Sequence, residues 1–337
     1  MKDQFRVTAI VSTYKSERFL RGCLDDLLSQ TIGDDLEIIV VNSGSPQGED
    51  EIVRREYLPF HDTIRYVRTE ERETIYQAWN RGIRSARGRF ITNANTDDRL
   101  RKDAYERLAD HLDRHPDVGA VFADQYTSYV QNEVFTEHRG GSVRRRPSFD
   151  RLLFLSRYYL GSQPMWRSEV HSQHGIYYSE RYAVAGDYEF FLRLAEHYPI
   201  EKVHDILGLY YLDPGGNNME YQNAQRTAGE TEEVRTAAIH RWVDALTPQQ
   251  VRLFLHRMQR YQRIPELMHY GIFNMALSLG IPTLMLPRGF VCYVGSVLAE
   301  KAGDMALAIR FCSGAAHSRN ADVLSKRKQL LLSRGTV

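Results

Sequence analysis

The chain has 337 residues, enough for one large domain and a smaller one, because a single core seldom grows past ~250 to 300 residues. Its 44 Lys and Arg against 43 Asp and Glu leave a formal charge of +1, so no overall basic field argues for a nucleic-acid partner. Cys23, Cys292 and Cys312 stand far apart with no CxxC spacing, which argues against a disulfide framework or structural zinc and for a reducing, cytoplasmic setting.

The opening residues Met1 to Arg6 lack the apolar core of a signal peptide. Phe5 to Ser12 is β-branched and apolar and predicts a strand buried on both faces of a parallel sheet. Glu17 to Gln30 carries Phe19, Leu20, Cys23, Leu24, Leu27 and Leu28 at helical spacing, with Ser16 as the expected cap. Leu36 to Val41 predicts a second buried strand, Glu49 to Tyr57 a short helix, Thr63 to Val67 a third strand and Ile75 to Ala86 an amphipathic helix. A fourth strand, Phe90 to Thr92, runs into small polar residues ending in Asp97 and Asp98, and Lys102 to Arg114 reads as helix. Strands alternating with helices imply an α/β fold with a mostly parallel, twisted sheet and helices on both faces. Ligands of such sheets collect outside the carboxyl ends of the strands. Asp97 and Asp98 at a strand-to-helix turn are therefore candidates for a metal and diphosphate site, the alternative being a solvated turn that caps the next helix.

Beyond this the alternation stops. Val118 to Asp124 predicts a strand, and Tyr126 to Val130 with Glu133 to Glu137 predict a hairpin. His138 to Arg146, with its Gly pair and three successive arginines, reads as a surface loop or a cover for a diphosphate. Phe149 to Tyr159 reads as helix, Gln163 to Arg167 as extended, Gly186 to His197 as an amphipathic helix opening at Asp187, and Val203 to Tyr211 as a strand giving way to a Gly-rich loop. Helix is expected from Gln222 to Leu246, and Thr247 with Pro248 marks a boundary, giving domains of 1–246 (halves 1–124 and 125–246) and 247–337. The tail contains only helix patterns. Tyr293 to Phe311 resembles one tetratricopeptide unit and Tyr261 to Ala276 a poor second; because such repeats need about three units to bury a core, a plain helical cap is the equal alternative. The apolar window Ile281 to Ala299 is broken by Pro282, Pro287, Arg288 and Gly289, so no membrane span is expected.

The order of these pieces is more specific than any one of them. Val11 to Glu17 (VSTYKSE), Glu37 to Ser45 (EIIVVNSGS), Ala78 to Ile83 (AWNRGI), Ala86 to Ile91 (ARGRFI), Asn95 to Asp98 (NTDD) and Gly186 to Leu194 (GDYEFFLRL) together resemble a family 2 inverting glycosyltransferase of GT-A fold, over about the first two-thirds of the chain. The resemblance implies a nucleotide-sugar donor, UDP-linked before others, lying along Thr13, Tyr14 and Glu17. Asn42, with Ser43, would meet the base where the family usually has an aspartate. Asn80 and Gly82 would line the donor cleft. Asn95 takes the first acidic place of the family's metal motif, Thr96 lies between, Asp97 holds Mn or Mg, and Asp98 stands behind it. Asp187 matches the general base, with Gly186 where an acid often precedes it. Asp213 falls where the family's late loop approaches the metal, as a ligand or only as a turn residue. Gln163, Trp166 and Arg167 would face a saccharide or glycoconjugate acceptor, Trp166 stacking on a sugar unless it is simply core. Polysaccharide or glycoconjugate assembly is the implied setting, with contact to a membrane surface, a homo-oligomer or a protein partner of the helical tail all open. The departures at Asn42, Asn95 and Gly186 keep a rival reading alive: a catalytically inactive nucleotide-sugar-binding or helical-repeat interaction protein.

Overall fold

A computed structural model describes residues 4–216, 224–262, 286–314 and 321–334. These form two compact units: one of residues 1–146 and 159–231, the other of residues 147–158 and 232–337.

The first unit is built on a nine-stranded sheet. In chain order it comprises β1 (Phe5–Thr13), α1 (Glu17–Leu28), β2 (Leu36–Asn42), α2 (Glu49–Ile52) continued as a wider π-type turn to Tyr57, β3 (Ile64–Arg68), α3 (Ile75–Ser85), β4 (Gly88–Asn93), β5 (Arg99–Leu100), α4 (Ala104–Arg114), β6 (Ala120–Ser128) and β7 (Val143–Arg144). After α5 (Arg151–Ser156), which belongs to the second unit, come β8 (Met165–Arg167), α6 (Glu169–His174), α7 (Gly186–His197) and β9 (Ile200–Tyr211). The strand order is β3-β2-β1-β4-β8-β6-β9-β5, with β7 on β6. Strands β3, β2, β1 and β4 run parallel. Because β8 is antiparallel to both β4 and β6, and β6 is parallel to β9, the carboxyl ends of β1, β2, β4, β6 and β9 all fall on one edge. That edge carries Thr13, Asn42, Asn93, Ser128 and Tyr211.

The period-2 geometry of a strand explains the unbroken apolar runs. Val7, Ala9 and Val11 of β1 join a core with Leu20, Leu24 and Leu27 of α1 and Tyr105, Leu108 and Leu112 of α4. On the other face Ile39 and Val41 of β2 pack with Ala78 of α3. Gly82 of α3 belongs to this contact: an added Cβ would come within 2.5 Å of Ile10 Cγ2. Its place in the sequence reflects close helix-on-strand packing and not a cleft wall.

The expected hairpin around Gln131 and Asn132 is not formed. Residues 120–128 make one strand, Phe135–Glu137 is a 3-10 turn, and the partner of β6 is β7, within the stretch expected to be loop. The apolar run breaks at Asp124 and Gln125, two adjacent polar residues that are buried, and so the sequence carries no sign that one strand spans them.

The second unit contains α5 and most of α8 (Ala224–Asp244), then α9 (Pro248–Gln262), α10 (Arg288–Lys301), α11 (Met305–Ser313) and α12 (Ala321–Arg334). Thr247 caps α9 through its Oγ1, 3.3 Å from Gln250 N. The pair α10 and α11 is separated by Gly303 at φ +78, with Asp304 Oδ1 accepting from Leu307 N at 2.8 Å. Most of the weaker repeat-like stretch, Tyr261 to Ala276, lies outside the described residues. Among the described residues no helix is long and apolar enough to cross a membrane, and the three cysteines are buried and form no disulfide.

Candidate active site

The carboxylate turn is held from below and leaves one acid at its surface. Asp98 is buried; its Oδ1 accepts from Tyr211 N at 3.1 Å and its Oδ2 from Asn95 Nδ2 at 3.3 Å. Burial first, then the neighbouring Asp97 charge, push the Asp98 carboxyl up to about 7. Asp97 is partly exposed, and burial of its carboxyl raises its pKa against the lowering pull of Arg99 and Arg18. Arg99 is itself buried, bonded to the carbonyls of Thr96 (2.8 Å) and Asp98 (2.7 Å) and to Asn132, so the turn is built around a guanidinium. Gly22 leaves the room for it, since a Cβ there would meet the Arg99 side chain. Thr96 contributes only its carbonyl to that Arg99 contact, and its side chain is buried.

Asp213 closes its own turn, Oδ1 accepting from Gly215 N at 2.8 Å. It also lies two residues beyond the Tyr211 that Asp98 holds, and the charges of both Asp213 and Asp97 act, after burial, to raise the Tyr211 phenol.

At the β1 and β2 ends a polar net is drawn together. Asn42 is fully buried, donating to Tyr66 Oη at 3.0 Å and accepting from Ser45 N at 2.8 Å, while Tyr66 donates to Asp50 at 2.7 Å. Glu17 accepts from Gly48 N at 3.0 Å, and Glu49 from Ser16 N and Ser45 Oγ at 2.8 Å each. Ser43 donates its N–H to Thr13 O at 3.1 Å and is buried. Asn42 and Glu17 thus brace the loop, each with an identified protein partner. Tyr14 is partly exposed, with Arg72 over its ring at 4.3 Å. Thr13 Oγ1, Asn93 Oδ1 and Glu49 Oε2 are buried with no hydrogen-bond partner among the described residues.

Asn80 does not face a cleft. It is buried, and its amide grips the backbone of Tyr178 from both sides, donating to the carbonyl and accepting from the N–H at 2.9 Å each. Tyr178 in turn takes Asn93 Nδ2 on its hydroxyl at 2.7 Å. Two of the acceptor-side expectations are corrected. Trp166 is fully buried among Tyr178, Phe190 and Phe191, its indole N–H donating to His171 Nε2 at 2.9 Å. Arg167 is buried too, bonded to the carbonyls of Val118 (2.7 Å), Leu112 (2.6 Å) and His115 (3.0 Å). Both belong to β8, all three of whose residues are buried. Gln163 lines a small internal gap with Gln125, Leu207 and Gly208.

Asp187 sits in the first turn of α7. Tyr76 of α3 holds that turn, its hydroxyl donating to Val184 O at 2.6 Å and accepting from Gly186 N at 2.9 Å. A Cβ on Gly186 would lie 2.6 Å from the Tyr76 ring, which gives the missing acid at this place a steric reason. Glu230 of α8 accepts from the N–H groups of Ala183 (3.0 Å), Val184 (2.8 Å) and Ala185 (3.1 Å). Although burial pulls the other way, bonds from Arg226 and those three N–H groups hold its carboxyl down at about 2. The charge of Asp187 raises the Tyr178 phenol, after burial, and the same phenol accepts from Asn93, at the end of the strand that leads to Asp97. Nothing in the neighbouring residues marks Tyr76, Tyr178 or Glu230, since contacts spanning 45 to 110 positions leave no local pattern.

A mixed sheet whose first four strands run parallel, with a carboxylate turn at its carboxyl edge, defines a class of fold, GT-A. Residues 8–172 match the model of glycosyl transferase family 2, so the chain carries a family 2 glycosyltransferase domain. Its relatives include the glycosyltransferase GlyA of Streptococcus pneumoniae, 29% identical over 46% of this chain and 22% of its own length, and the uncharacterized glycosyltransferase EpsJ of Bacillus subtilis, 34% identical over 32% of this chain and 31% of its own. The matches span less than a third of these relatives. In fold the chain resembles S. aureus TarS 1-349 in complex with UDP-GlcNAc, with a TM-score of 0.54 at 14% identity over 93% of this chain and 91% of that one.

Proposed function

We propose that the chain moves one sugar from a nucleotide-sugar, a UDP-hexose type before others, to an acceptor hydroxyl with inversion, in the assembly of a polysaccharide or glycoconjugate. The observation that carries this is the division of labour in the carboxylate turn: Asp98 spent on the fold, Asp97 left partly exposed beside it. The family 2 domain and the UDP-GlcNAc complex of the TarS relative support the donor class.

A divalent cation suits Asp97, a carboxyl whose charged form is penalised by burial and whose pKa stays raised although a backbone N–H, Arg99 and Arg18 all favour the charge. An all-oxygen donor set fits Mg or Mn, with Asp97 as ligand and Asp213 as a second from the adjoining loop. When bound, the ion would neutralise charge on the departing diphosphate. The orphaned Thr13 Oγ1 and Asn93 Oδ1 at neighbouring strand ends are groups a polar ligand would satisfy. Asp187 takes the proton from the acceptor hydroxyl as its oxygen attacks the anomeric carbon from the face opposite the breaking bond to diphosphate. Tyr76 and Glu230 hold the turn that aims it.

The test is incubation with a panel of nucleotide-sugars and Mn or Mg, read as donor binding and donor hydrolysis. Asp97→Ala is expected to abolish both. Binding that ignores the metal and survives Asp97→Ala overturns the reading in favour of a catalytically inactive binding protein. The anomeric configuration of any product, read by NMR, decides inversion.

A further inference from the structure

At the far end of α4 from the carboxylate turn, two histidines one helical turn apart meet an acid from the neighbouring strand. His111 lies in the last turn of α4 and His115 caps it, with ring centroids 4.2 Å apart. Glu201, the second residue of β9, brings Oε2 to 2.7 Å from His111 Nε2. One ligand atom from each of the three lies within 4.8 Å of the others. His115 Nδ1 is 2.9 Å from the carbonyl of His111, and because a carbonyl can only accept, Nδ1 carries the proton and Nε2 presents its lone pair. His115 is exposed and the other two are partly so; of the three, His111 also lines an open groove of about 510 Å³ with Glu106, Asp110 and Arg114.

We propose that His111, His115 and Glu201 form a binding site for a borderline transition-metal ion, zinc above all, separate from the Mg or Mn site of the transferase reading and independent of it. A set of two imidazoles and one carboxylate favours Zn, Ni or Cu over the hard cations that oxygen-only sites take. Two histidines at i and i+4 project from one face of the helix, as chelation requires. A tetrahedral zinc site sets its ligand atoms roughly 3.3 Å apart at the usual bond lengths. The exposed His115 ring closes the remaining distance by rotation. The proton between His111 Nε2 and Glu201 leaves to Nδ1 or to water as the ion binds. The ion then fastens the end of α4 to the start of β9, about 16 Å along the helix from where α4 begins.

The experiment uses zinc and cobalt(II) as probes on the intact chain, with excess Mg present to fill oxygen sites. One zinc per chain is expected after dialysis, with a raised melting temperature and, for cobalt, the visible bands of a tetrahedral site. Binding should persist in Asp97→Ala and in His174→Ala, which removes the other stacked histidine pair, His174 with His197 at 4.0 Å. In His115→Ala and in Glu201→Gln the affinity should fall on the order of a hundredfold, at least what loss of an outer-shell partner costs. Zinc that fails to bind, that stays unchanged in His115→Ala, or that leaves with Asp97 or His174 overturns the proposal. Failure here leaves the transferase reading untouched, since that reading turns on donor binding.

Discussion

Two positions near the first turn of α7 show how single residues set the chemistry. Asp187→Asn keeps size and shape while removing the proposed base, so donor binding is expected to remain and transfer to fall about 10²- to 10⁴-fold, measured as product formed per unit of bound donor. Gly186→Ala acts differently. Its Cβ would press on the buried Tyr76 ring at 2.6 Å, so we expect a loss of roughly 1 to 3 kcal/mol in denaturant unfolding together with lost transfer, as the turn carrying Asp187 shifts. His171 gives a pH-dependent signature. Burial lowers its pKa to about 4, opposed only by the bond to Ile176 O. The unfolded chain takes up the proton near pH 6.5 and the folded chain does not, so stability is full above 6.5 and declines as pH falls toward 4, by roughly 3 kcal/mol at most. Replacing it, as His171→Gln, should flatten that slope in chemical denaturation at stepped pH.

At the scale of elements, α7 is placed by partners distant in sequence. Glu230 of α8 receives three successive N–H groups at its start, and Tyr76 of α3 takes the next. The lowered pKa of Glu230, about 2, means its contribution is present above the ordinary carboxyl range and is lost as pH falls toward 2. Glu230→Gln keeps one acceptor oxygen and loses the charge; it is expected to cost roughly 1 to 2 kcal/mol and to reduce transfer more than donor binding, checked by paired thermal and kinetic measurements. The β1, β2 and β4 strands were legible in the sequence because burial on both faces writes itself as unbroken apolar runs. The β6 strand was split and Trp166 and Arg167 were turned outward because interior polar residues carry no local mark of the partners that satisfy them. For Arg167 those are three carbonyls from the end of α4 and the turn that follows it.

The whole molecule has two units, each with its own buried core. In the second, Phe311 is fully buried and packs where Gly295 has no side chain. Phe311→Ala should cost about 3 to 5 kcal/mol. In calorimetry it is expected to lower the transition of the helical unit, whereas saturating UDP-sugar with Mn raises that of the sheet unit. If the same transition carries both effects, the assignment of the donor to the first unit fails.

By itself the sequence determined the alternation of strands and helices, the turn that ends in Asp97 and Asp98, and the family of the domain at residues 8–172, since each is written in neighbouring residues. Only the tertiary structure decided which polar groups are spent on the fold. Asn42, Asn80 and Asp98 look available in the sequence and are bonded in the structure to Tyr66, Tyr178 and Tyr211, residues that lie 24, 98 and 113 positions away. A buried polar group must find a partner, and which partner it finds is settled by how strands and helices pack, which residue order does not record.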